Sequence, residues 1–487
     1  MVFLLSLSFR PHWNRRIFCV EFRYHMELKP YEIIESVIAG ARLGTKVLDR
    51  PHLAWLGVKA AAPLMFHREH RLNRASRFGF QKIGSSRWSP GELAAYKHDC
   101  IATLAFFQRV LDARDGREPL VWLGWPVPIE VASGFDDVAA FVPEAFMAIA
   151  NMVGTDGHVA CLEAVEREGI SDDICAMDRI SLGAYLLEQI PTPAAIVSVA
   201  HPCDASRTTS QLMEYISGAP AYTIDTAYTK EDADVELYSK NLFEAIAFLE
   251  DTLGRKYNWD KFRRMVVVLN EQNRYLNEIT HMNQSIPSAG LSLGLQTAWG
   301  SKITGAGNPE LVESARAMYN VGRFRLRYPQ LRRKVEKFRI IVADMPIVFS
   351  EMSMWIEKTF GGVVVGDYIG DAIFPEIDCT SLETMMMGVA RDRLYMGMVK
   401  QAHGAARETV DDLERQIEQF SADCVIQNGH QGCKHNRALQ RIVKDVCRRH
   451  DIPILIMEAD IFDKRVMSED EIKRELTNFF VANGFAS

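Results

Sequence analysis

The chain has 487 residues, more than one ordinary domain, so two or three domains are expected. Hydrophobic residues make up 48% and charged residues 24%, the balance of a soluble globular protein. The net charge of −7 argues against generic nucleic-acid binding, which needs a basic face to displace counterions, and leaves room for an anionic cofactor in a local basic pocket.

The opening MVFLLSLSF is too short to span a bilayer and lacks the basic start of a secretory signal. Residues 1–25 read as an upstream extension, because MELKPYEIIE from Met26 resembles an ordinary cytoplasmic start. No transmembrane segment is expected. From about 26 to 115 the pattern is helical, and its basic stretch FHREHRLNRASRFGFQK reads as a solvated face rather than a contact to an anionic ligand. Between 118 and 230 short apolar runs alternate with amphipathic stretches. LVWLGW, AAIVSVA and PAYTID are predicted strands; RISLGAYLLEQI and SRTTSQLMEYI are predicted helices. Residues 231–340 form a charged, helical region. GGVVVG, CVIQNG and IPILIMEAD then repeat the strand theme.

This alternation predicts an α/β fold with parallel sheets and helical crossovers. The expected organisation is a helical N-terminal extension (1–117), a first α/β lobe (118–230), a helical linking region (231–340) and a second α/β lobe (341–487). The Gly-rich segment around GLSLGLQTAWGSKITGAG reads as a loop or lid, and no Walker-type phosphate loop is present. The Met-rich run LETMMMGVARDRLYMGM reads as a packed helix face, with a substrate channel as the second reading.

Nine cysteines (19, 100, 161, 175, 203, 379, 424, 433 and 447) without a CxxC pair fit reduced thiols in a cytoplasm and disfavour a zinc ribbon. Any metal site must gather ligands from distant segments. Cys203, in SVAHPCDASR, leaves an apolar run for a polar turn at a strand's carboxyl end, where open α/β sheets collect ligands. Cys433, in CVIQNGHQGCK, repeats the arrangement, and Cys175 precedes a third helix. Three thiols in three strand-to-helix turns can converge. Helix N-termini and the cations Arg179, Arg207 and Lys434 are expected to lower their pKa values, unless those cations only pair with Asp178, Asp204 or other carboxylates. Soft thiolates select zinc, copper(I) or iron–sulfur clusters, and three ligands leave one corner of a cubane open. The competing reading makes each cysteine a small buried hydrophobe, which suits Cys161, Cys379, Cys424 and Cys447.

At these residues the chain resembles the 2-hydroxyacyl-CoA dehydratase / benzoyl-CoA reductase family, in its D-component type of subunit. The likeness rests on CAMDRISLG at Cys175, PCDASR at Cys203, QGCK at Cys433 and the tail IPILIMEADIFDKR. That tail supplies Pro453, Glu458, Asp460, Asp463 and Arg465, and an upstream Pro-x-Glu element supplies Pro128 and Glu130. Two departures stand out: Gly432 where the family pattern has serine, and the bulky Trp125 before Pro-x-Glu.

The resemblance implies two flavodoxin-like (Rossmann-like) lobes and a [4Fe–4S] cluster held by Cys175, Cys203 and Cys433. It also implies a similar second subunit, a separate ATP-dependent iron–sulfur activator and an acyl-CoA substrate. The implied reaction forms a ketyl radical from the thioester with one low-potential electron and eliminates water. The alternatives are a benzoyl-CoA-type ring reductase, a reductase with a larger double-cubane cluster, and a non-catalytic electron-relay subunit. A flavodoxin-like binding protein without a cluster is a further class. Glu130 is the candidate acid/base, against a plain first-turn carboxylate. His201 and His430 read as local caps or as partners of cluster sulfurs. Nucleic acid and membrane are not expected partners, and the expected compartment is the cytoplasm.

Overall fold

The structure is a computed structural model that describes residues 29–57, 89–146, 157–226, 229–291, 302–333, 335–345, 352–371 and 373–486. The possible upstream extension, the basic stretch at 66–82 and part of the Gly-rich segment lie outside the described residues.

Two four-stranded parallel sheets organise the chain. The first contains β1 (Leu120–Leu123), β2 (Ala139–Phe141), β3 (Ala195–Val199) and β4 (Ala221–Ile224), in the order β2-β1-β3-β4. The second contains β5 (Phe338–Val342), β6 (Gly362–Asp367), β7 (Cys424–Gln427) and β8 (Ile454–Ile456), in the order β6-β5-β7-β8. The two lobes therefore share one winding, the flavodoxin-like one, and the expected α/β class holds. Six of the eight strands fall in the predicted runs. β2 and β5 do not: β2 is only three residues long, and β5 interrupts a stretch read as helical.

Strands covered by helices on both faces are apolar along their length, because neither pleat face meets water. β1, β3 and β7 are buried at every position. One hydrophobic core runs through both lobes and the helices between them, with a smaller core on the far side of the second sheet. The N-terminal helix Pro90–Arg114 packs on Pro309–Arg327. Its Ser89/Glu92 capping box fixes the entry turn, and Arg325 binds Glu92 at 2.8 Å. The Met-rich segment is the helix Leu382–Leu394, with Met385 and Met386 buried, a packed face as read from sequence.

In this winding the chain leaves the first strand in one direction and reaches the third from the other, which opens a crevice at the carboxyl ends between them. The loops after β1 and β3 line one such crevice. Those after β5 and β7 line the other. Glu130 follows β1, Cys203 follows β3 and Cys433 follows β7, so Cys203 and Cys433 occupy equivalent positions in the two lobes. No helix among the described residues is long and apolar enough to cross a membrane.

Candidate functional site

Each of the three predicted cysteines is the N-cap residue of a helix. Cys175 caps Ala176–Leu186, Cys203 caps Asp204–Ser217 and Cys433 caps Lys434–Arg449. An N-cap leaves the first helical N–H groups without backbone acceptors, so a sulfur there faces a cone of donors and the positive end of the macrodipole. Cys433 Sγ accepts from Asn436 N at 3.5 Å. Cys203 and Cys433 lie in strand-to-helix turns as read from sequence. Cys175 does not: it sits in the loop between the helices Gly157–Arg167 and Ala176–Leu186, so its segment is a helix-to-helix connection.

Several contacts draw the three turns together across the lobes. His430 Nε2 lies 3.2 Å from Cys175 Sγ, and Lys434, next to Cys433, binds Asp204, next to Cys203, at 2.8 Å. The Gly432 backbone (φ +81°) packs so closely on the Cys175 turn that a Cβ there would stand 2.7 Å from Ile174 O and 3.1 Å from Cys175 Cα. Glycine thus replaces the family's serine where this chain has no room for a side chain. Gly429 (φ +64°) meets the Met457 carbonyl in the same way. The three thiols lie within electrostatic reach of one another, as the effects of Cys203 and Cys433 on Cys175 and of Cys433 on Cys203 require.

The pKa expectation is overturned. Burial, followed by the charge of Asp178, drives Cys175 and Cys203 far above an ordinary thiol. Burial also pushes Cys433 up to about 12, against the help of the Asn436 N–H. Two of the named cations spend their charge elsewhere: Lys434 on Asp204, and Arg179 on Glu166 at 3.5 Å and the Ile174 carbonyl at 3.0 Å. A desolvated thiolate needs a cation in contact, and these cations are not.

His430 is held from behind. Its Nδ1 lies 3.1 Å from Asp460 Oδ2, while Asp460 Oδ1 accepts from the backbone N–H of Phe462 and Asp463, each at 2.8 Å. Burial disfavours the imidazolium, but Asp460, Asp344 and Asp178 outweigh it and leave the His430 pKa raised. Carboxylate, imidazole and sulfur form one line. The family tail also ties the lobes, since Arg465, held by Asp463 at 2.7 Å, bonds Glu166 of the first lobe at 2.7 Å; within the second lobe Glu458 receives Arg437 at 2.7 Å.

Glu130 opens the short helix Glu130–Ser133 and is buried. Its Oε2 accepts from Arg393 at 2.9 Å, and its backbone carbonyl accepts from the Tyr257 hydroxyl at 2.7 Å. Arg393 also donates to Asp392 at 2.6 Å, and Asp392 receives Lys302 at 2.7 Å and Asn273 at 2.7 Å. Lys302 Nζ lies 3.2 Å above the Phe374 ring, and burial pulls its pKa down to about 8. Among the described residues Glu130 Oε1 has no hydrogen-bond partner, and neither does the buried Tyr238 hydroxyl or either ring nitrogen of His201. These groups adjoin one another. The His201 ring centroid lies 5.5 Å from Tyr238 and 4.4 Å from His403, and Tyr238 is within electrostatic reach of Arg393 and Glu130. A path of polar side chains thus runs from Glu130 through Tyr238 to His201, two residues before Cys203.

Trp125 is buried. Its backbone N–H donates to Glu144 Oε1 at 3.3 Å and its carbonyl accepts from the Ser206 hydroxyl at 3.1 Å. Of the cysteines expected to be structural, Cys161, Cys424 and Cys447 are buried; Cys379 is exposed, a correction. The sequence reading missed Arg393, Asp392, Lys302, Tyr238 and His403. The one available signal was the RDR triplet inside an otherwise apolar Met-rich helix.

Among the described residues no three His, Cys, Asp or Glu side chains are spaced to hold a single metal ion. Thiolates on one ion stand about 4 Å apart, given metal–sulfur bonds of about 2.3 Å in a tetrahedron. In a cubane each cysteine takes a different iron, which asks for wider spacing. Three soft donors at helix N-caps, with a hydrogen bond already aimed at one sulfur, fit such a group. No curated protein matches the chain. Residues 125–480 match the family model described as "2-hydroxyglutaryl-CoA dehydratase, D-component", and the chain belongs to that family.

Proposed function

We propose that the chain is the iron–sulfur subunit of a 2-hydroxyacyl-CoA dehydratase-type lyase. Cys175, Cys203 and Cys433 are its cluster ligands and Glu130 its acid/base. The observation that carries this reading is the meeting of three helix N-cap cysteines from both lobes, one of them bonded to the His430–Asp460 pair. A [4Fe–4S] cluster held there supplies single low-potential electrons to a thioester carbonyl.

The chain's own groups do the remaining work. Loss of water from a 2-hydroxyacyl thioester removes a β-proton and the α-hydroxyl, and the electron borrowed at the carbonyl is returned, so the reaction is redox-neutral. The β-proton is not acidic in the ground state and needs a positioned base in a dry pocket. Arg393 holds Glu130 Oε2 and leaves Oε1 free to take that proton. The Tyr238 hydroxyl and the His201 ring stand ready as hydrogen-bond partners for the substrate's hydroxyl and carbonyl. His430 Nε2 lies within hydrogen-bond distance of Cys175 Sγ, with the ring's orientation fixed by Asp460. Burial keeps the thiols protonated in the empty chain, so loading the cluster releases protons and is favoured by rising pH.

The partners in this reading are an acyl-CoA substrate, a similar second subunit and an ATP-dependent iron–sulfur activator, in an oxygen-free cytoplasm. The test combines the chain with its partner subunit, activator, ATP and reductant, and follows a 2-hydroxyacyl-CoA by mass spectrometry. A 2-enoyl-CoA product, abolished by Cys203→Ser and retained by Cys379→Ser, is expected. Unchanged turnover in Cys203→Ser overturns the assignment. A reduced ring from an aromatic thioester moves it to the ring-reductase branch.

A further inference from the structure

Cys175 is the one predicted ligand that no sheet positions. Cys203 and Cys433 follow β3 and β7, whereas Cys175 ends a loop between two helices. Contacts from the other lobe hold it instead, and they centre on the tail segment 460–465. The role of Cys175 as a ligand rests on the reading above.

The tail segment reaches the Cys175 turn by two arms. In the first, Asp460 Oδ2 lies 3.1 Å from His430 Nδ1, and His430 Nε2 lies 3.2 Å from Cys175 Sγ. In the second, Arg465 Nη1 and Nη2 fork onto the Glu166 carboxylate at 3.2 and 2.7 Å. Glu166 also meets Arg179 Nη1 at 3.5 Å, and Arg179 Nε donates to the carbonyl of Ile174, the residue before Cys175, at 3.0 Å. Both arms share a root at Asp463. Its backbone N–H donates to Asp460 Oδ1 at 2.8 Å, and its carboxylate accepts from Arg465 at 2.7 Å. One arm thus restrains the sulfur and the other the main chain beside it, as outer contacts orient the groups that ligate a metal.

Arginine suits the second arm because its planar fork matches a carboxylate bidentately, where lysine offers a point charge. Arg465 and Glu166 are 33% and 39% exposed, so their pairing adds little to overall stability. The other ion pair to this loop, Lys434–Asp173 at 3.8 Å, is more exposed still.

We propose that segment 460–465 is a clamp that positions Cys175 for the cluster, with Arg465 and Glu166 as its positioning residues. The second lobe thereby sets a ligand that belongs to the first. Cys203, placed by the end of β3 in its own lobe, does not depend on the clamp.

The test reads the clamp first without the cluster. The metal-free full chain is alkylated with iodoacetamide under native conditions, and mass spectrometry follows each cysteine against the exposed Cys379. Arg465→Met is expected to speed alkylation of Cys175 at least about fivefold through local opening, and to leave Cys203 within about twofold of wild type. Arg465→Lys is expected to fall between the two. Arg437→Met, which breaks the tail's ion pair with Glu458 inside the second lobe, is expected to change neither. In the iron-loaded chain, Arg465→Met is expected to shift the electron paramagnetic resonance signal of the reduced cluster, which lower stability alone would not do. Unchanged Cys175 alkylation, or an unshifted signal, overturns the clamp. Equal acceleration at Cys175 and Cys203 also overturns it, because the lobes then part as a whole. A response at Cys175 alone in a chain that binds no iron leaves the clamp standing and overturns the cluster reading. Should Arg465→Met fail to fold, Glu166→Gln cuts the same arm at its other end, with the same expected pattern.

Discussion

Gly432→Ala adds one methyl group at the point where the Cys433 turn presses on the Cys175 turn. At φ +81° a side chain strains the backbone by about 1 kcal/mol. The new Cβ would also stand 2.7 Å from Ile174 O, closer than non-bonded carbon and oxygen tolerate, and 3.1 Å from Cys175 Cα. Both neighbours are backbone, so the turn itself must move, and overpacking of this kind costs about 1–3 kcal/mol. The expected loss is therefore about 2–4 kcal/mol of folding stability, together with displacement of Cys175 from Cys433. Gly116→Ala is the control. Its φ is +72° and nothing lies within 4 Å of the added Cβ, so it carries the backbone term alone, about 1 kcal/mol. Urea unfolding of the metal-free chain reads both variants, and iron content after anoxic reconstitution reads the site. Gly432→Ala matching Gly116→Ala in stability, with full iron, would refute the packing of these two turns.

Arg393→Met should destabilise by about 3–5 kcal/mol, because it strands the buried carboxylate of Glu130 and leaves Asp392 with Lys302 and Asn273 alone. Adding Glu130→Gln should recover part of that loss in a double-mutant cycle, and additive losses would contradict a coupled pair. Glu144 is raised to about 8 by burial and then by Asp178, so the folded chain keeps its proton after the unfolded chain has released it. Stability is then lost as pH climbs from about 4.5 through about 8. Glu144→Gln does not titrate, and its stability relative to wild type should improve across that window; a pH-independent difference would show that Glu144 is not held protonated.

The fold was readable where apolar runs were long and bounded by turns. AAIVSVA and CVIQNG announce β3 and β7, and their polar ends announce Cys203 and Cys433. β2 escaped because three residues make no period, and β5 because FRIIV continues a charged helical stretch with no turn signal. The cysteines were legible as N-caps, since a polar turn ahead of an amphipathic run marks a helix start. Their pKa values were not, because burial is a tertiary property and outweighs helix ends and distant cations. The line from Lys302 to Glu130 was equally hidden. Its members are 90, 1 and 263 residues apart in sequence and meet only when the first lobe, the Met-rich helix and residue 302 pack together.

Iron and acid-labile sulfide per chain after anoxic purification decide whether Cys175, Cys203 and Cys433 hold one cluster. About four of each are predicted for the wild type and for Cys379→Ser, with loss in each of Cys175→Ser, Cys203→Ser and Cys433→Ser. A folded wild-type chain without iron, or one whose iron survives all three substitutions, would contradict it.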